Sequence, residues 1–123
     1  MANELSLSNL TITFSKSGSP SVYFKPATIT PTVAGTQIMD NVQNIGTSEV
    51  AILLGDVATG GYWFVQNMDA TNFVTLRSAT GVTGLIKLLA GEWAIFRTNA
   101  GAAAPFAIAD TAACDVRFLR FDL

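Results

Sequence analysis

Few residues in this chain have the types and spacing that chemistry requires. Among 123 residues there is no histidine and one cysteine, Cys114. The lack of histidine removes the commonest general base, and with it the Ser-His-Asp and Cys-His nucleophilic arrangements. One thiol without imidazoles also falls short of the usual zinc and non-haem iron ligand sets. Cys114 lies in Ala112-Ala113-Cys114-Asp115-Val116, with no adjacent base to lower its pKa. A small buried hydrophobe fits that setting better than a reactive thiolate. Gly60-Gly61 and Gly81-Val82-Thr83-Gly84 lack the Lys-Ser or Lys-Thr that completes a phosphate loop. Asp56, Asp69 and Asp110 could supply oxygen ligands to calcium, but at no spacing of a known calcium loop. Two distant carboxylates could still meet in the fold as a glycosidase pair. The expectation is a protein that is not an enzyme and holds no metal or cofactor.

Recognition is the chemistry left, and four residues are the candidates for it. Trp63, Trp93, Arg117 and Arg120 belong to the types enriched at the centres of protein interfaces. The two tryptophans could instead line a sugar-binding face, or one or both could sit in the core. Seven scattered bases against nine acids, with a net charge of −2, argue against nucleic acid as a partner. Phosphate binding needs clustered Lys and Arg, and only Arg117 and Arg120 are close neighbours, flanked by Asp115 and Asp122.

The elements that must position these residues read as strands. Leu5, Leu7, Ile12 and Phe14 alternate with Ser and Thr, with a register change near Asn9-Leu10 that suits a bulge. Residues 22–24 and 28–30 read as short strands punctuated by Pro20, Pro26 and Pro31. Proline donates nothing to a ladder, so residues 1–35 are expected to form edge strands or an arm between subunits. From Thr36 onward, strand patterns recur at 37–42, 49–54, 62–67, 73–77, 85–89, 93–98, 106–109 and 115–121. Turn signals about every 8–12 residues indicate a sandwich or barrel, and no sustained helical stripe competes with them. Asn67-Met68-Asp69-Ala70-Thr71-Asn72 has the chemistry of a tight link and is expected to close a hairpin between 62–67 and 73–77. Tyr62, Trp63, Phe64 and Phe73 would then pair across it. The fold class is all-β, a single antiparallel β-sandwich domain over 1–123, jelly-roll-like and with little helix.

Half of the residues are hydrophobic and 13% are charged, against roughly 25% charged in an average domain. Such a chain is expected to have part of its surface covered by other protein. The apolar run Val50-Ala51-Ile52-Leu53-Leu54 ends at Gly55, too short for a membrane helix. The start, Met1-Ala2-Asn3-Glu4-Leu5, lacks the basic and apolar regions of a signal peptide.

Several phrases resemble small all-β virion proteins of tailed bacteriophages. They are Asn44-Ile45-Gly46-Thr47-Ser48-Glu49, Leu54-Gly55-Asp56-Val57-Ala58-Thr59-Gly60-Gly61-Tyr62, and Asn67-Met68-Asp69-Ala70-Thr71-Asn72-Phe73-Val74. Leu88-Leu89-Ala90-Gly91-Glu92-Trp93-Ala94 and Ala109-Asp110-Thr111-Ala112-Ala113-Cys114-Asp115-Val116 extend the likeness. The resemblance implies a capsid decoration or cement protein, bound to the major capsid protein on the virion exterior after assembly in the host cytoplasm. The low charge and high apolar content point to a homo-oligomer, with a trimer as first expectation, and the resemblance carries over no catalytic residue. A tail or baseplate component and a carbohydrate-binding host-attachment module are the alternatives.

Overall fold

The computed structural model describes residues 5–33, 37–55, 57, 61–99 and 102–122. Two compact units divide the chain, Met1–Val33 and Ala34–Leu123. The first therefore corresponds closely to the segment that its prolines set apart.

Within the first unit, β1 (Ile12–Phe14) pairs antiparallel with β2 (Val22–Phe24). Lys16-Ser17-Gly18-Ser19 turns the chain between them, closed by Ser19 N–H donating to the Lys16 carbonyl at 3.0 Å. Gly18, at φ 81°, supplies the positive φ that the third turn position takes in a type II turn. Farther from the tip, Leu7 and Ile29 exchange both backbone hydrogen bonds, at 2.9 and 3.0 Å. Five positions separate Leu7 from Ile12, and five separate Phe24 from Ile29. The register is therefore conserved across the gap, and the whole is one long two-stranded ribbon. The irregularity expected near Asn9 is a positive φ of 62° that interrupts pairing without inserting a residue.

The second unit is an antiparallel sandwich with no helix among the described residues. One sheet has the order β3 (Ile38–Ile45), β10 (Cys114–Asp122), β5 (Gly61–Asn67), β8 (Trp93–Arg97). The other runs β4 (Val50–Ala51), β9 (Phe106–Ala109), β6 (Val74–Arg77), β7 (Ile86–Leu88). Strand β10 is the spine, matched over eight residue pairs with β3 and seven with β5. The period of two along β5 and β10 divides their side chains between core and exterior. Ile45, Trp63, Val65, Val116 and Phe118 from the first sheet meet Val74, Leu76, Leu88, Ala107 and Ala109 from the second in one buried cluster.

The link at 67–72 carries the expected chemistry but a different connection. Strands β5 and β6 lie in opposite sheets, so the link crosses the sandwich and closes no hairpin. The reason is the direction of Asn67. Its side chain points inward, fully buried, and its amide donates to the carbonyls of Asn72 (2.8 Å), Leu88 (3.1 Å) and Leu89 (3.2 Å). A side chain reaching the second sheet's β7 ties the chain across the gap. Phe73 consequently pairs with none of Tyr62, Trp63 and Phe64 across a ladder; Trp63 stacks on Phe96 at 6.1 Å and Phe64 tilts against Trp93 at 6.0 Å.

The candidate interaction surface

The surface is built by the outward-pointing residues of the β3-β10-β5-β8 sheet. Inward positions along β10 are Cys114, Val116, Phe118 and Arg120, leaving Asp115, Arg117, Leu119 and Phe121 outward. Cross-strand register lines up three rows on that outer face. The first is Val42, Arg117, Gln66 and Trp93; the second is Asp40, Leu119, Phe64 and Ile95; the third is Ile38, Phe121, Tyr62 and Arg97. Eight of these twelve positions are apolar or aromatic. Ile38 is 65% exposed, Val42 50%, Trp93 46% and Ile95 42%. A sheet with one solvated face normally alternates apolar-in with polar-out; here the outward set is apolar as well.

The charges on this face are largely neutralised within it. Arg117 donates from Nε and Nη2 to the two oxygens of Asp40, at 3.0 and 2.9 Å, in a bidentate fork. Those hydrogen bonds hold the Asp40 carboxyl below its usual range and raise Arg117. Arg97 lies over the Tyr62 ring at 5.2 Å. The opposite sheet contrasts with this. One outward row there contains Ile108, Thr75 and Lys87, with Lys87 over the Phe73 ring at 4.0 Å. Near it, Arg77 donates to Glu49 at 2.6 Å, and Glu49 also accepts from Thr80 Oγ1 and the Gly81 amide.

The four candidate residues divide evenly. Trp93 and Arg117 share one row of the exposed face, separated by Gln66. Trp63 and Arg120 are buried within the chain, at 1% and 2% exposure. Their place follows from strand parity: both are inward positions of β5 and β10 and stand opposite each other. Trp63 packs edge-on to Phe118 and donates from Nε1 to Thr98 Oγ1 at 3.3 Å. Arg120 lies over Trp63 at 4.8 Å and donates to the Val57 carbonyl at 2.5 Å. Burial lowers the Arg120 pKa, with Asp122 opposing. The residues that sequence reasoning missed are the rest of the apolar face, Ile38, Val42, Tyr62, Phe64, Ile95, Leu119 and Phe121. Alternation within each strand was a signal for them, but only strand order shows that their outward sets fall side by side.

Among the described residues considered for catalysis or metal, Cys114 and Asp69 are taken up by local contacts. Cys114 is fully buried, its Sγ 3.8 Å from the Phe73 carbonyl and 3.7 Å from that of Ala112. Burial pushes its thiol pKa up, reinforced by Asp69, Asp110 and Asp115. Asp69 is engaged by its own link, accepting from the amides of Thr71 (2.9 Å) and Asn72 (2.6 Å). Asp56 lies outside the described residues. Among those described, no group of three or more His, Cys, Asp or Glu side chains is placed to hold a metal ion. An open pocket of 380 Å³ lies between Leu76, Leu85, Ile86 and Phe96, and its lining holds no carboxylate. No helix among the described residues is long and apolar enough to cross a membrane. No family model, curated protein or solved structure matches the chain.

Proposed function

We propose that this chain is a virion structural protein of a tailed bacteriophage. In this reading it binds the capsid exterior on the major capsid protein and stabilises the particle as a decoration or cement protein. The observation that carries the reading is the apolar outer face of the β3-β10-β5-β8 sheet. Exposed apolar patches of this kind mark protein contact surfaces, and a chain low in charge gains contact area there without chemistry. The two four-stranded sheets, ordered β3-β10-β5-β8 and β4-β9-β6-β7, support a jelly-roll-like reading of the sandwich. Capsid and lectin domains share that architecture, an analogy that supports the reading without selecting a place in the particle. The resemblance of the turn and strand phrases from Thr36 onward supplies the phage origin.

A carbohydrate-binding attachment module is the second reading, favoured by the exposed Trp93 beside Phe64. Sugar rings stack on such pairs, yet they also require several polar partners. The rows around Trp93 offer Gln66 and the Asp40–Arg117 pair amid aliphatic side chains. That composition favours protein as the partner. Copy number per virion tests the proposal. A count commensurate with the capsid subunits is expected for a decoration protein, whereas a handful of copies would place the chain in the tail or baseplate.

A further inference from the structure

The sandwich ends in four edge strands, β3 and β8 in one sheet and β4 and β7 in the other, and all but β8 are guarded. β4 spans two residues. β7 carries Lys87 at its centre. On β3, the Gln43 side chain donates to the Ala51 carbonyl and accepts from the Leu53 amide, both at 3.1 Å, so residues 51–53 lie against that strand. Shortness, charge and cover of this kind keep an edge from pairing with another chain. β8 has none of them. It reads Trp93-Ala94-Ile95-Phe96-Arg97, uncharged up to its last residue and free of proline.

The ladder fixes which backbone groups of β8 are left over. The Thr98 amide donates to the Gly61 carbonyl at 3.0 Å, and the Asn67 amide to the Glu92 carbonyl at 2.9 Å, both in register with the β5–β8 pairing. Facing pairs in an antiparallel ladder alternate between hydrogen-bonded and non-hydrogen-bonded. Ala94 and Phe96 therefore bond to β5, and the N–H and C=O groups of Trp93, Ile95 and Arg97 point the other way. Among the described residues no strand pairs with β8 on that side.

We propose that this edge pairs with the same edge of a second copy, antiparallel about a twofold axis at Ile95. The pairing goes beyond the virion reading and does not depend on it. Side-chain complementarity selects both the occupant and the register. With Ile95 facing the partner's Ile95, Trp93 faces the partner's Arg97, and Arg97 the partner's Trp93. Arg97 already lies over the Tyr62 ring at 5.2 Å, so pairing sets its guanidinium between two aromatic side chains. Arginine against tryptophan is an attractive cation–π pair, and facing side chains of this kind stabilise a sheet. On the inner side Ala94 faces the partner's Phe96, small against large. A slip of two residues in either direction loses both Arg–Trp contacts. The twofold pair is closed, since each copy spends its one unguarded edge on the other.

Sedimentation velocity on the full chain tests this, with variants at Ile95, whose side chain is exposed. The wild type is expected to be a dimer at high micromolar concentration. Ile95→Asp sets like charges against each other at the axis and should weaken the pair at least about tenfold, with β-type circular dichroism retained. Ile95→Pro removes the N–H that faces the partner and spares the β5 ladder, and should weaken the pair as much. Ile95→Cys should form a linked dimer on mild oxidation, because facing Cα atoms about 5.5 Å apart suit a disulfide. Val42→Cys, exposed on the same face but on β3, should not, and the native Cys114 is buried away from the reaction. The cysteine pair decides the matter if the charged or proline variant fails to fold. A wild type that is monomeric or trimeric, an Ile95→Asp dimer of full strength, or Val42→Cys linking as readily as Ile95→Cys would overturn the pairing. A wild-type monomer that still co-sediments with phage particles overturns this contact alone and leaves the virion reading standing.

Discussion

Asn67 shows how a single buried amide fixes the route of the chain. Its Nδ2 donates to carbonyls on the 67–72 link and at the end of β7, and its Oδ1 accepts from the Asp69 amide at 3.0 Å. Its backbone meets the next turn as well, through the Gly91 amide and the Glu92 carbonyl, at 3.0 and 2.9 Å. Asn67→Leu removes the donor and leaves buried carbonyls unsatisfied, at about 1–3 kcal/mol for such groups. The expected result is a loss of roughly 2–3 kcal/mol in urea unfolding with the β spectrum retained. A change too small to measure would show that the amide does not hold the crossing. The sequence made Asn67 legible as a turn residue. Its inward direction follows from strand parity with Trp63 and Val65, but its tie to Leu88, 21 positions away, was not legible.

At the scale of elements, carboxylates hold the links between strands. Asp69 has its pKa lowered, first by the Asn72 amide and then by that of Thr71; Glu49 is lowered first by Thr80, then Arg77 and the Gly81 amide. A carboxylate depressed on folding stabilises the native state above its unfolded pKa, about 3.9 for Asp and 4.3 for Glu. That contribution is lost as pH falls through the lower folded values. Melting temperature is therefore expected to stay level from neutral pH to about 5 and decline below about 4. Asp69→Asn and Glu49→Gln should flatten the decline, and an unchanged acid slope in both would contradict the assignment. The strands themselves were largely legible, because alternation is local: 106–109 is reproduced as β9 and 93–98 nearly so as β8. The 49–54 pattern contracted to Val50–Ala51, and 28–30 to a single bridge at Ile29. Both are edge segments with one neighbour or none along most of their length. Sheet membership was not legible, since β5 and β6 follow one another in sequence yet lie in opposite layers.

The whole molecule is two units with different needs. The sandwich owns the buried cluster, to which no described residue before Met39 contributes. Deleting residues 1–33 is therefore expected to preserve cooperative unfolding and β-type circular dichroism. A truncated chain that fails to fold would show that the ribbon belongs to the core. Composition announced the surface, in that a chain half hydrophobic leaves apolar residues outside, but it did not locate it. Two of the four residues expected as interface anchors, Trp63 and Arg120, lie inward with strand parity, and the face is completed by residues no motif marks. The central claim is that this face attaches the chain to other protein in the particle. Its most direct test is co-sedimentation of purified protein with phage particles lacking it, comparing the wild type with Trp93→Glu. Trp93 is 46% exposed, so a charge there is not expected to unfold the sandwich. The account expects the wild type in the pellet and the variant in the supernatant; a variant that pellets as fully as the wild type would contradict it.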